Sequence, residues 1–248
     1  MTTVKNIYDY INSIAPFKQQ EEWDNAGFLT GDFRKEVKKA VLCLDVTKEV
    51  AAYAADMDAD LILSHHPVIF SGLKKIEKGS AVYTCIEKDI AVISAHTNFD
   101  LAECGINYNL AKRIQLNNIR QISGSFLTVG ELDCEMSMDD FAQFVSDTLH
   151  VSGLRYTDTD KPIKTIAVGG GACEEYTDIA FENADCFVTG DMKYHQMLNW
   201  AEQGCAVISA GHYETEHDSF IMLMDKLKDI FTDVEFMSAQ QKNPVLAV

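Results

Sequence analysis

The chain has 248 residues, enough for one large domain or two small ones, with 47% hydrophobic and 24% charged residues, as in an ordinary globular protein. Its 21 basic and 38 acidic residues leave a net charge of −17, so nucleic acid is disfavoured as a partner. No apolar run approaches the roughly 20 residues that cross a bilayer, and the seven scattered cysteines form no Cys-x-x-Cys pair, which excludes a membrane span, a zinc ribbon and a thioredoxin-type site and makes the cytoplasm the expected compartment.

The first segment, "MTTVKNIYDYINSIAPF", reads as an amphipathic helix with Val4, Ile7, Tyr8, Ile11 and Ile14 on one stripe, rather than as a signal peptide. "RKEVKK" at 34–39 is the densest basic run and reads as a solvated loop. Strand "AVLCLD" (40–45), helix 47–57, strand "DLILS" (60–64), helix 80–89 and strand "IAVISA" (90–95) follow. A middle stretch then carries Gly/Ser turns, an amphipathic helix from Ser137 and extended runs. The same order returns as strand 164–170, helix 174–183, strand "DCFVTG" (185–190), helix 193–204 and strand "CAVISA" (205–210). Ala-Val-Ile-Ser-Ala recurs at 91–95 and 206–210, and the lead-in Ala-Asp recurs at 59–60 and 184–185. The expected architecture is α/β, with two similar lobes from an internal duplication covering 1–118 and 119–248.

Open α/β sheets bind ligands where loops leave the carboxyl ends of the strands. Three histidine-bearing segments follow apolar strands directly: "SHHPVIF" with His65 and His66, "AHTNFD" with His96 and Asp100, and "GHYETE" with His212 and Glu216. Neighbouring side chains on an extended chain point to opposite faces, so His65 and His66 are expected to serve two ions about 4 Å apart rather than one. Gly211 lets the third loop turn into a long helix, which puts His212 and Glu216 on one face of its first turn. Three imidazoles and two carboxylates suit Zn²⁺, Fe²⁺, Mn²⁺, Co²⁺ or Ni²⁺ rather than Ca²⁺ or Mg²⁺, and the absence of thiolates argues against a closed structural zinc site. Each motif alone also fits a bland role: a surface turn, a strand or helix cap, a charged helix start. Their combination at strand ends favours a metal centre.

Two further segments are weaker. "VGGGAC" (168–173), between a strand and a helix, could bring backbone amides to a phosphate but lacks a dinucleotide or Walker signature, and reads as a tight turn. "TGDMKYHQ" places Asp191 and His195 after the strand that corresponds to the one before His65, which makes His195 a proton-transfer group, a support for the metal ligands or an ordinary helix histidine.

"SHHPVIF", "AHTNFD" and "GHYETE", together with the N-terminal "EWDNAGFLTGD", resemble the signatures of the Nif-three-like dinuclear metal centre proteins. Members often carry the name GTP cyclohydrolase I type 2 homologue. The resemblance spans essentially the whole chain and implies two α/β lobes with a dinuclear metal site in the cleft between them, no inserted domain, and a homohexameric toroid. Residue by residue it implies His65, His66, Asp100, His212 and Glu216 as ligands of two divalent metal ions per subunit, with Glu216 bridging and His96 beside them. The expected function is a metal-dependent hydrolase acting on a small molecule, a nucleotide among the candidates, with His96 or His195 moving protons. The alternative is a non-catalytic metal-binding scaffold or metal-handling protein working as an oligomer. Neither the metal nor the substrate is legible in the residues.

Overall fold

The computed structural model describes residues 1–246. In chain order it begins with α1 (Val4–Ile14), β1 (Gly27–Thr30), β2 (Lys39–Cys43), α2 (Lys48–Asp56), β3 (Leu61–Ser64), α3 (Ala81–Glu87), β4 (Ala91–Ser94) and the single turn α4 (Thr97–Asp100). Next come α5 (Ile106–Arg113), β5 (Asn117–Gln121), β6 (Thr128–Met136), α6 (Met138–Leu149), β7 (Arg155–Thr157) and β8 (Ile163–Gly169). The last are α7 (Thr177–Asn183), β9 (Cys186–Thr189), α8 (Tyr194–Glu202), β10 (Ala206–Ser209), α9 (His212–Ile221), α10 (Leu223–Ile230) and β11 (Glu235–Ser238). Two compact units result: residues 1–102 with 220–242, and residues 103–219 with 243–246.

In the first unit a five-stranded sheet runs β1-β4-β3-β2-β11, parallel except for β1 at its edge. Strands β3 and β4 are buried at every position, the continuous apolar pattern of parallel strands covered on both faces. The Thr47 and Ser80 hydroxyls cap α2 and α3, and α2 turns Val50, Ala51 and Ala54 into the core. On α1 the stripe buries Val4, Ile7 and Ile11, while Tyr8 stacks on Phe17 at 4.7 Å. Of the basic run at 34–39, all but Lys39 lies outside the helices and strands, with one isolated bridge from Glu36 to Thr3. Lys39 opens β2, because the amides of Lys38 and Lys39 both donate to the Asp60 carboxylate.

In the second unit a six-stranded sheet runs β5-β6-β8-β9-β10-β7, with a parallel trio β8-β9-β10 and antiparallel neighbours on both sides. The register of this trio repeats that of the first unit. Cys43, Ser64 and Ser94 end one set of strands as Gly169, Thr189 and Ser209 end the other. β4 and β10 each have an antiparallel edge strand beyond them. The two Ala-Asp lead-ins also behave alike: Asp185 accepts from the amides of Lys164 and Thr165 just as Asp60 does from Lys38 and Lys39.

The chain first leaves one unit for the other at 102/103, earlier than the expected 118/119, because Leu110 and Ala111 of α5 and Ile114 just after it belong to the core under β6 and β8. The stretch from 220 to 242 returns to the first unit, where β11 extends the sheet beside β2. Positions 247 and 248 of the expected second lobe lie outside the described residues. The expected long helix from His212 is two helices broken at Met222. Its Ser219 carbonyl accepts from the Asn109 amide at 2.8 Å, which competes with the helical bond from residue 223. Among the described residues no helix is long and apolar enough to cross a membrane.

Candidate metal centre

The first unit gathers four of the expected residues behind β3 and β4. His65, His66 and His96 each offer a ring nitrogen, and the three lie within 4.8 Å of one another, a group that could hold a metal ion. The rings of His65 and His66 are 5.0 Å apart and both sit close to His96, at 5.1 and 5.4 Å. The opposite-face expectation for the adjacent pair therefore does not hold. β3 ends at Ser64, and the two histidines stand on a bend, where strand alternation no longer governs direction. The bend is held by the Ser64 hydroxyl, which donates to the His66 carbonyl at 2.8 Å. Asp100, the last residue of α4, turns Oδ1 towards His65 Nε2 at 3.6 Å.

The other nitrogen of each ring is spoken for. His65 is fully buried, and its Nδ1 donates to the Ala95 carbonyl at 2.8 Å. His66 Nδ1 donates to Asp45 at 2.7 Å, and His96 Nδ1 donates to Asp24 at 2.8 Å. A carbonyl or carboxylate oxygen can only accept, so each Nδ1 carries a proton, and in the neutral ring this leaves Nε2 as the nitrogen that would bind a metal ion. Asp24 also accepts from the Thr97 amide and hydroxyl at 3.1 and 2.5 Å. Burial pushes its carboxyl up, but the hydrogen bonds from His96 and Thr97 outweigh this and hold it down at about 2.

The second unit places one imidazole between two carboxylates behind β9 and β10. His212 Nδ1 donates to Asp191 at 2.8 Å, and its Nε2 faces Glu216 Oε2 at 3.1 Å. Glu216 is buried, one turn along α9. Gly171 passes this pair at φ +65°, and a Cβ there would overlap the Glu216 carboxylate and come within 3.1 Å of His212 Nε2. The amides of Gly170 and Gly171 are already given to Asn107 and Thr215, at 2.7 and 3.1 Å. The glycine loop is thus a turn that makes room for Glu216, with those two amides engaged by the protein rather than offered to a phosphate.

The sequence signature of Duf34/NIF3 (NGG1p interacting factor 3) matches residues 2–244. The chain belongs to this family. Its relatives include a Clostridium perfringens protein named GTP cyclohydrolase 1 type 2 homolog, 33% identical with 97% of this chain and 98% of the relative covered. A Helicobacter pylori protein named GTP cyclohydrolase 1 type 2 is 30% identical over 92% of both chains. Among solved structures, a Staphylococcus aureus hypothetical protein matches with a TM-score of 0.92, 26% identity and 99% of each chain covered.

In this Duf34/NIF3 chain the donor chemistry fits a divalent cation. Nε2 of His65 faces an Asp100 oxygen and Nε2 of His212 faces a Glu216 oxygen. Acceptor facing acceptor at such distances needs a cation, either a proton or a metal ion. His195 belongs to neither group: it stands exposed near the start of α8 with its ring 5.5 Å from that of Tyr194. Its expected companion Asp191 serves His212 instead. The carboxylates that orient the imidazoles escaped the sequence reading in this role. Asp45 did carry a signal, since it closes a predicted strand at the end where ligand loops emerge. Asp24 carried one only as part of "EWDNAGFLTGD".

Proposed function

We propose that His65, His66, Asp100, His212 and Glu216 hold two divalent metal ions and that the protein is a metal-dependent hydrolase of a small molecule. The observation that carries this reading is a repeated bond: four histidines, each with Nδ1 fixed by an oxygen acceptor so that Nε2 is the nitrogen left for a metal ion. His212 and Glu216 alone fall short of the three protein ligands usual in a catalytic site, so they are read as part of a larger shell. Bound there, divalent ions supply a Lewis acid for a carbonyl or phosphoryl oxygen and make water acidic enough to react near neutral pH. Asp24, Asp45 and Asp191 keep the imidazoles oriented and raise their basicity. His96, with Nδ1 held by Asp24, has Nε2 available to take and return a proton. The relatives' name supports a cyclohydrolase-type opening of a purine ring as the first reaction to try. The resemblance of the motifs supports a homohexamer as the working form.

Metal content by plasma mass spectrometry and turnover over a panel of nucleotides, phosphoesters and cyclic amides test the reading together. Glu216→Ala is expected to lose both metals and any activity at once. Unchanged metal content in that variant would remove Glu216 from the shell. Bound metal with no turnover anywhere in the panel would favour the metal-binding scaffold instead.

A further inference from the structure

Beside the three imidazoles of the first unit stand two aromatic side chains that the metal centre does not use. Trp23 is 56% exposed and Phe70 is 52% exposed, in a protein whose other rings are mostly covered. Their ring centroids are 5.8 Å apart, and they lie 5.9 and 6.2 Å from the ring of His96. These are contact distances, so the three rings form one continuous patch. A half-exposed indole next to a half-exposed phenyl leaves apolar area in water, and such a patch at the rim of a polar cluster marks a binding surface.

The patch is built by one short turn. Trp23 supplies a ring, Asp24 grips His96 and Thr97, and the Asn25 amide donates to the Ile69 carbonyl at 2.6 Å. That last bond fastens the segment carrying Phe70 to the turn carrying Trp23. The same three residues therefore set both the tautomer of His96 and the position of the two rings. The pair is too close to admit a third ring between them, so a ligand would lie over their exposed faces with its edge towards His96 and its neighbours.

We infer that Trp23 and Phe70 form a stacking platform for a planar heteroaromatic ring, and that the substrate of the imidazole cluster carries such a ring. This rests on the metal-hydrolase reading of that cluster and adds to it the residues that select the substrate. Stacking is indifferent to which atoms decorate the ring, because every such ring offers a π-face.

The chain contains two tryptophans, and Trp200 packs against Phe181 at 4.6 Å in the second unit. In a Trp200→Phe background Trp23 is the only indole, and its emission reports on the platform. Metal-loaded protein is titrated with inosine, a neutral purine nucleoside whose lack of phosphate isolates stacking from charge, and with ribose as the control. Inosine is expected to quench Trp23 to saturation, ribose to leave it unchanged, and Phe70→Ala to weaken inosine binding about tenfold with metal content unaltered. Absence of saturable quenching, equal quenching by ribose, or undiminished binding in Phe70→Ala overturns the platform. So does a Phe70→Ala protein that sediments as a smaller species while its quenching is intact, since the rings then join copies of the chain. Retained inosine quenching without metal uptake in the parent would break the metal reading and leave the platform standing.

Discussion

β4 and β10 carry the same four residues, Ala-Val-Ile-Ser, and the same neighbours: a parallel strand on one side and an antiparallel edge strand on the other. The loops behind them nevertheless use their histidines differently. After β4 the chain passes through Ala95 into a single turn with His96 at its start, and the carboxylate on His96 comes from Asp24, far back in the sequence. After β10 one more residue, Gly211 at φ +86°, delays the imidazole by a position, and His212 takes its carboxylate from Asp191 behind the adjacent β9. The first unit has that same relation one strand earlier, where Asp45 behind β2 holds His66 behind β3. One strand framework thus sets where the chain exits, and the residues at each exit decide which strand supplies the base and which its support.

The strongest way to break this comparison is at Gly190, the counterpart of His65. A Cβ at Gly190 would sit 2.5 Å from the Gly171 carbonyl and 2.9 Å from the His212 Cα, both backbone. Gly190→Ala is expected to destabilise the protein by roughly 3 kcal/mol, read as the shift of a urea unfolding curve. The supporting carboxylates come next. Asp191→Ala and Asp45→Ala should each weaken metal binding roughly 10–100-fold while leaving the fold intact, measured by competition with a chromophoric chelator. If only one of them matters, the two pairs are not equivalent.

Asp24 sharpens the contrast further, because the second unit supports His212 without a comparable residue brought in from outside its parallel strands. Asp24→Asn should cost about 1–3 kcal/mol, and the cost depends on pH. The folded carboxyl titrates at about 2 against an ordinary value of 3.8, so its contribution is fully present above about pH 4 and is lost as pH falls through 2. The stabilities of the two proteins should therefore converge on acidification. The smallest effect belongs to the lead-in aspartates, where Asp60→Ala and Asp185→Ala should each cost about 1 kcal/mol. Nearly equal shifts in thermal midpoint would show that the two contacts match in energy as well as in bonding.

Much of this framework was legible because parallel strands covered on both faces leave continuous apolar runs, and "AVISA" twice after an Ala-Asp lead-in displays one. The helices flanking each run were legible through their periodic stripes, although only α2 and α3 carry Thr and Ser caps. The boundary between units was not, since nothing local in α5 says which core its buried face joins. Nor were the directions of His65 and His66, because a bend after a strand follows from hydrogen bonds such as Ser64 to the His66 carbonyl rather than from local pattern.

The residue order by itself determined the α/β class, the repeated strand-helix order and the residue types at each strand end, since periodicity and residue chemistry are local properties. His212 and Glu216 are neighbours by helical spacing, but tertiary structure decided which carboxylate holds the Nδ1 of His66, His96 and His212. Asp24 with His96, Asp45 with His66 and Asp191 with His212 lie 72, 21 and 21 positions apart. Their bonds depend on strands laid side by side, and no spacing along the chain encodes that.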